Sequence, residues 1–272
     1  MTDPVPTSTP GARLSVLIVA HNEEANLPDC LASAAFADEI VVVLDRSSDG
    51  SRAICEAAGA KIVEGAWPIE GPRRHAGIDA CAGPWILELD ADERVSPALA
   101  RELREVLPSA APGGLLCPIE NYIGAHKVAH GWGAYNGVPA KWSLFTKGAK
   151  HWGDQRVHPA TRLEGARGAL TAPILHHVDR DLTDTFARLN RYSTLAAADL
   201  ADAGRAPSGL ATFRRMITRF WKSYISRQGW REGFYGVALG TFSALYPLFV
   251  YLKVRELITS ATQNPDGTYS PR

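Results

Sequence analysis

From Leu14 to Leu107 short apolar runs alternate with helix-like stretches, and that alternation admits few folds. Runs too short for helices and apolar at nearly every position are strands buried on both faces. They arise when helices cover both sides of a parallel sheet. Four such runs stand out: Leu14 to Ala20, Glu39 to Leu44, Ala60 to Glu64 and Trp85 to Leu89. Helices are expected around Asn26 to Ala35, Ser51 to Ala58, Pro72 to Ala82 and Pro97 to Leu107. The last is opened by Ser96 and Pro97, a capping residue before a proline suited to the first helical position. The stretch Gly113 to His177 is rich in Gly, Trp and His with weak periodicity, which predicts irregular walls around a pocket. A helix then begins at Leu182, its apolar stripe running Leu182, Phe186, Leu189, Tyr192 and Leu195, and Gly204 closes it.

Open α/β sheets bind ligands beyond the carboxyl ends of their strands. Three of those ends are polar here: His21-Asn22-Glu23-Glu24 after the first run, Asp45-Arg46-Ser47-Ser48-Asp49-Gly50 after the second, and Asp90-Ala91-Asp92-Glu93 after the fourth. Each alone reads equally well as a turn or a helix cap; three on successive strand ends point to one cleft. The chain has no Gly-x-Gly-x-x-Gly after the first strand and no Gly-x-x-x-x-Gly-Lys-Ser/Thr, so backbone cradles for phosphate are missing. A diphosphate among these carboxylates needs a divalent cation between them. Mg²⁺ or Mn²⁺ held by Asp90 and Asp92 fits, and it would neutralise a departing diphosphate. His158 is a candidate third ligand, or else a packed or capping histidine.

Lysine plus arginine equals aspartate plus glutamate at 29 each, so no global basic excess points to nucleic acid. Cys30, Cys55, Cys81 and Cys117 lie far apart without zinc or redox spacing and read as buried thiols in a reducing compartment. Residues 1–13 lack the basic start and apolar run of a signal peptide, so a flexible tail and a cytosolic catalytic part are expected.

The stretches Ser15 to Glu24, Ala37 to Asp45 with Ser48-Asp-Gly-Ser51, and Trp85-Ile-Leu-Glu-Leu-Asp-Ala-Asp-Glu-Arg-Val-Ser96 come in the order and spacing of the family 2 glycosyltransferases. The chain resembles that family, and within it the lipopolysaccharide-core β-glucosyltransferase group, from Leu14 to about Glu256. The resemblance implies a GT-A-like α/β fold, a mostly parallel, Rossmann-like sheet with helices on both faces. It implies that Asp45 holds the nucleoside, that Glu23 lines the base or ribose pocket with His21 and Asn22 beside it, that Asp92 binds metal, and that Asp90 supports the donor. Arg74, in Gly71-Pro-Arg-Arg-His-Ala76, matches a basic donor-facing residue; the alternative is a surface helix cation. The second half departs from the pattern: where relatives carry Asp, Arg and Glu, this chain has Pro139, Ser143 and Pro159. Inversion at the anomeric carbon is likewise implied by the resemblance, and such a transfer needs a group that takes the acceptor proton. Asp154 is the first candidate and Glu120 the next.

Between Asp202 and Glu232 stand seven cations and no acid: Arg205, Arg214, Arg215, Arg219, Lys222, Arg227 and Arg231, interleaved with aromatic and aliphatic residues. That pattern suits a helix in an anionic membrane interface, or one docked on the catalytic domain with its cations in water. Gly233 to Leu252 is uncharged and about long enough to span a bilayer, though Gly236, Gly240 and Pro247 interrupt it. A crossing, a shallow or re-entrant insertion and a packed hairpin are all open. The expected organisation is a tail (1–13), a GT-A-like catalytic domain (14–177), a helical membrane-associated region (178–256) and a second tail (257–272). The expected reaction moves a hexosyl group from a nucleotide sugar, UDP-linked, to a lipid-linked glycan or glycolipid such as lipopolysaccharide core. Its place is the cytoplasmic face of the inner membrane, the protein being peripheral or shallowly inserted. Two rivals are a sugar nucleotidyltransferase, which would want a Gly-rich basic loop, and an inactive glycosyltransferase-like membrane scaffold.

Overall fold

The computed structural model describes residues 14–135, 139–155 and 159–262. Strands β1 (Leu14–Ala20), β2 (Glu39–Asp45), β3 (Lys61–Gly65) and β4 (Trp85–Asp90) are parallel and lie in the order β3-β2-β1-β4. Helices α1 (Leu27–Ala34), α2 (Ser51–Ala57), α3 (Glu70–Ala80) and α4 (Pro97–Val106) connect or follow them. All seven residues of β1 are buried, because its two sides face separate cores. Val16, Ile18 and Ala20 pack with Leu27 and Cys30 of α1, Cys55 of α2, and Leu99 and Leu103 of α4. Leu17 and Val19 pack with Ile78 of α3. Full burial of such side chains contributes roughly 1.5–3 kcal/mol each, which is why these runs are apolar throughout. Ser96 caps α4 as its sequence implies, its hydroxyl accepting from Leu99 N at 3.0 Å with Pro97 in the first turn.

Residues 113–177 correct the expectation of irregular walls. They supply β6 (Gly113–Ile123), β7 (His126–Lys127), β8 (Ala140–Thr146), β9 (Lys150–Trp152), β10 (Thr161–Leu163), β11 (Ala166–Ala169) and β12 (Ile174–Asp179), while β5 (Glu93–Val95) follows β4 directly. Beyond β4 the sheet continues β8-β6-β12-β5, with β7 and β11 also paired to β6; β9 and β10 form a separate two-stranded ribbon. Strand β8 runs antiparallel to β4 and β6, and β12 antiparallel to β5. The sheet is therefore mixed, not mostly parallel. The period was faint because Lys141, Lys150 and His176 occupy strand positions and find their partners at sequence distances of 48 to 84 residues.

The chain divides into two compact units, one of residues 1–120 with 138–176 and one of 121–137 with 177–272. The second is helical: α5 (Leu182–Asp202), α6 (Gly209–Trp221) and α7 (Phe234–Thr262), with a π-helical turn at Lys222–Ser226 and a 3-10 turn at Gly229–Glu232. The stripe predicted for α5 is only partly buried. Leu189 is inside, whereas Phe186, Tyr192 and Leu195 are exposed; the small residues Ser193 and Ala197 lie against α7, where Val250 and Val254 meet Ala197. Helix α7 runs straight through Pro247 and is no hairpin. Proline cannot donate to the carbonyl four residues back; that carbonyl, of Ser243, accepts from Arg219 Nε at 2.7 Å instead. Among the described residues Phe234–Thr259 is one helix long and apolar enough, by length and composition, to cross a membrane.

Candidate active site

The loops leaving β1 and β2 are fastened to each other. Asn22, in the left-handed region at φ 56°, donates from N to Ser47 Oγ (3.1 Å) and accepts at Oδ1 from Ser48 N (2.8 Å). Glu23 N donates to Ser51 Oγ (3.0 Å), Glu24 N to Asp49 Oδ2 (3.0 Å), and His21 Nδ1 to the Asp45 carbonyl (2.5 Å). The polar residues after the first two strands are the bonds that hold these loops, so His21, Asn22, Glu23 and Asp45 share one place. Asp45 is 2% exposed and accepts from Arg46 Nε and Nη2 (2.9 Å each), Trp67 N (3.1 Å) and Arg73 (3.4 Å). Burial alone would raise its pKa, but these donors outweigh burial and hold the carboxyl below its ordinary value. Arg73 Nε is buried with no partner among the described residues, a donor left over in a place crowded with acceptors. Burial raises the Glu23 carboxyl, and Asp92, Asp49 and Asp90 add to the rise, so this loop lies within electrostatic reach of the acids after β4.

Arg74 is not a surface cation. It is 5% exposed and donates to Glu70 (2.7 and 2.9 Å), Glu88 (2.6 Å) and Asp90 (2.6 Å), with its guanidinium 4.8 Å from the Trp152 ring centre. Lys141 reaches Asp90 Oδ2 (3.2 Å) and Glu93 (2.5 Å), and Lys150 reaches Glu88 (3.2 Å). Burial opposes ionisation of Asp90, yet Arg74 and then Lys141 prevail and keep its carboxyl far below the usual range. Arg74, Lys141 and Lys150, with Arg73 3.9 Å from Glu70, face the four carboxylates of Glu70, Glu88, Asp90 and Glu93, so the charges of the group balance. Glu88, Glu93, Lys141 and Lys150 were absent from the sequence-derived site. Glu88 had a signal, a charge inside the apolar run Trp-Ile-Leu-Glu-Leu of β4, since a buried charge in a strand must be paired.

Asp92 stands apart from this network. Its carboxylate is 35% exposed and its Oδ2 lies 3.3 Å from Nε2 of His176 on β12, which is 19% exposed. Pairing of β12 with β5, His176 opposite Glu93, sets that distance, and no local sequence pattern announces it. Burial alone would lower the His176 pKa; the Asp92 carboxylate outweighs it and the value is raised. Among the described residues no group of three or more His, Cys, Asp or Glu is arranged to hold a metal. A carboxylate oxygen and an imidazole nitrogen side by side suit a cation that completes its shell with phosphate oxygens and water. Both Asp90 oxygens are already engaged by Arg74 and Lys141.

The ribbon β9–β10 borders the same cluster. Trp152 Nε1 donates to Glu88 (3.2 Å), and His75 Nε2 lies 3.2 Å from Trp152 N and O. A Cβ on Gly71 of α3 would sit 2.4 Å from the Gly153 carbonyl oxygen, so the helix admits this loop only with glycine there. Asp154 follows, exposed and without a hydrogen bond or ion pair among the described residues. Glu120 is half-buried on β6, and His158 lies outside the described residues. Of the departing positions, Pro139 is exposed, Pro159 half-buried, and the Ser143 hydroxyl buried without a partner among the described residues.

Residues 15–129 match the profile of Glycosyl transferase family 2. The lipopolysaccharide core biosynthesis glycosyltransferase LpsC of Rhizobium meliloti (strain 1021) is 28% identical over 263 residues, spanning 90% of this chain and 93% of that protein. An uncharacterized glycosyltransferase of Rickettsia bellii (strain RML369-C) is 26% identical over 262 residues, 90% and 87% of the two chains. Among solved structures, glucosyl-3-phosphoglycerate synthase from Mycobacterium tuberculosis, in complex with Mn²⁺, uridine diphosphate and glucosyl-3-phosphoglycerate, is 23% identical over 41% of this chain and 45% of that one, with a TM-score of 0.35. The matched segment begins on β1 and takes in the loops after β1, β2 and β4, so the likeness to the family 2 glycosyltransferases falls on the candidate site itself.

Proposed function

We propose that this enzyme transfers a hexosyl group, with inversion, from a UDP-linked sugar to a lipid-linked glycan of the lipopolysaccharide-core type. The observation that carries the reading is the accessible Asp92–His176 pair beside the ion-paired cluster at the carboxyl end of β4. Repulsion between the Asp92 carboxylate and a diphosphate would be relieved by Mg²⁺ or Mn²⁺, which supplies charge neutralisation for the leaving group when bound. Asp92 and His176 would hold it, while Asp90, already ion-paired, positions Arg74 and Lys141. Asp45 and Glu23 hold the nucleoside, with His21 and Asn22 fixing their loops and Arg73 Nε donating to the donor. Asp154, or failing it Glu120, takes the proton of the acceptor hydroxyl as its oxygen attacks the anomeric carbon; the bond to the diphosphate oxygen breaks and that oxygen leaves with the electron pair.

The membrane part of the proposal rests on the second unit. Leu210, Phe213, Ile217 and Trp221 form one exposed stripe on α6, flanked by Arg214, with Arg215 exposed farther round the helix, an arrangement for lying in an anionic interface. The relative LpsC, named for lipopolysaccharide core biosynthesis, supports a glycolipid acceptor; the cytoplasmic face of the membrane is the place we assign to the reaction.

Calorimetric titration of UDP with and without Mn²⁺ tests the site. The wild type should bind more tightly with metal. Asp92→Asn and His176→Ala should each abolish that gain, and Asp45→Ala should weaken UDP in both conditions. An unchanged metal response in Asp92→Asn removes Asp92 from the ligand set.

A further inference from the structure

We infer that the helical unit carries a binding site for a single phosphate-bearing lipid, separate from the nucleotide cleft and more specific than a basic surface. A cavity of about 240 Å³ is lined by Trp132, Arg219, Lys222, Ser223, Arg227 and Ser243. Three of these six residues are cations and none is an acid. Lys222 Nζ and the terminal nitrogens of Arg219 make no hydrogen bond or ion pair among the described residues, and the Ser243 hydroxyl has no partner there. Burial, aided by Arg227, lowers the Arg219 pKa, as expected where cations gather without a carboxylate. Glu232, the acid that ends the basic stretch, is already used: it accepts from His126 (2.8 Å), His130 (2.7 Å) and Ala129 N (3.1 Å). Among the described residues no acid lines this cavity, and a phosphate has the charge and the acceptor oxygens to meet the Arg219 guanidinium and the Lys222 ammonium.

The site is built rather than accidental. Trp132 N donates to Ser223 Oγ (3.0 Å) and Gly131 N to the Arg227 carbonyl (2.9 Å), tying the 131–132 segment to the π-helical turn. π-Helical turns recur at functional sites. Helix α7 enters against the following 3-10 turn so closely that a Cβ on Gly236 would lie 1.8 Å from the Gly229 carbonyl oxygen. Arg219 is anchored by its bond to the Ser243 carbonyl and stands 5.4 Å from the Tyr246 ring centre.

Arg219 also lines a second cavity, of about 440 Å³, together with Arg215, Thr212 and apolar side chains of α5 and α7, among them Leu200, Tyr246 and Val250. A guanidinium shared by a basic cavity and a mainly apolar one fits an amphiphile, its phosphate at Arg219 and Lys222 with Arg227 beside them, and its first methylenes between α5 and α7. The assignment deepens the membrane reading above, yet binding of a monomeric lipid needs neither a bilayer nor glycosyl transfer. Its failure and the failure of that reading are therefore distinguishable.

The test uses the full-length protein and dihexanoyl phosphatidic acid below its micelle concentration, by calorimetry, beside inorganic phosphate and dihexanoylglycerol. The lipid should saturate a single site, and each half-ligand should bind at least about tenfold more weakly. Lys222→Ala, at an exposed position, should weaken the lipid about tenfold, the usual scale of one charged hydrogen bond, and Lys222→Ala with Arg227→Ala should weaken it further. Arg205→Ala with Arg214→Ala removes the same charge outside the cavity and should change nothing. Inorganic phosphate binding as tightly as the lipid, equal losses in the control pair, or no saturable binding would each overturn the site.

Discussion

Replacing Glu88 by glutamine keeps the side chain's shape and deletes one buried charge. Glu88 is 2% exposed and accepts from Arg74 (2.6 Å), Lys150 (3.2 Å) and Trp152 Nε1 (3.2 Å). Arg74 would keep Glu70 and Asp90, so the uncompensated charge falls on Lys150, itself 5% exposed and left with the Trp142 carbonyl at 3.0 Å. Removing one partner of a buried pair costs about 3–5 kcal/mol. Burial already lowers the Lys150 pKa, and loss of its proton limits the penalty, which places the expected loss near about 3 kcal/mol. Urea unfolding followed by tryptophan fluorescence reads it directly. Lys150→Met in the Glu88→Gln background should restore more than about half of the loss, because both charges are then gone. Burial alone would raise the Glu88 pKa, but Lys150 and then Arg74 hold it below its ordinary value of 4.5. The charge therefore stabilises fully above pH 4.5, and that contribution fades as pH falls toward the depressed native value. The part of the gap between wild type and Glu88→Gln that Glu88 supplies should narrow as pH falls below 4.5. A loss under about 1 kcal/mol, or a gap that widens in acid, refutes the paired-charge account.

Three other outcomes are expected. Asp154→Asn should slow sugar transfer by about 10² to 10⁴-fold while leaving UDP affinity intact; if Glu120→Gln does this instead, the proton acceptor is Glu120. Glu232→Gln should cost about 1–3 kcal/mol in thermal unfolding. The hydrogen bonds from His130 and His126 outweigh burial and hold the Glu232 carboxyl below 4.5, so this difference too should close as pH falls below that value. In flotation with anionic vesicles, high salt should loosen but not abolish attachment, since the apolar stripe of α6 is not screened; charge reversal at Arg214 and Arg215 should act like salt. A full-length protein that stays soluble under every condition ends the membrane proposal.

The sequence by itself determined what depends on neighbours along the chain. Four apolar runs fixed the parallel half of the sheet, because a strand buried on both faces must be apolar at every position. The Ser96–Pro97 cap was legible for the same local reason. Polar residues at three strand ends were legible as one group, since parallel strands deliver their carboxyl ends to one edge. Tertiary structure decided what depends on partners far along the chain. The antiparallel half of the sheet was hidden because Lys141 and Lys150 break the apolar pattern of β8 and β9, and only their meeting with Asp90, Glu93 and Glu88 makes them affordable inside. Arg74 read as a possible surface cation until three carboxylates from α3 and β4 closed around it. The pairing of His176 with Asp92 depends on β12 crossing to β5 over 84 residues. Local propensity reports the backbone's own preferences; which charges share a low-dielectric interior is settled only when the chain folds back on itself.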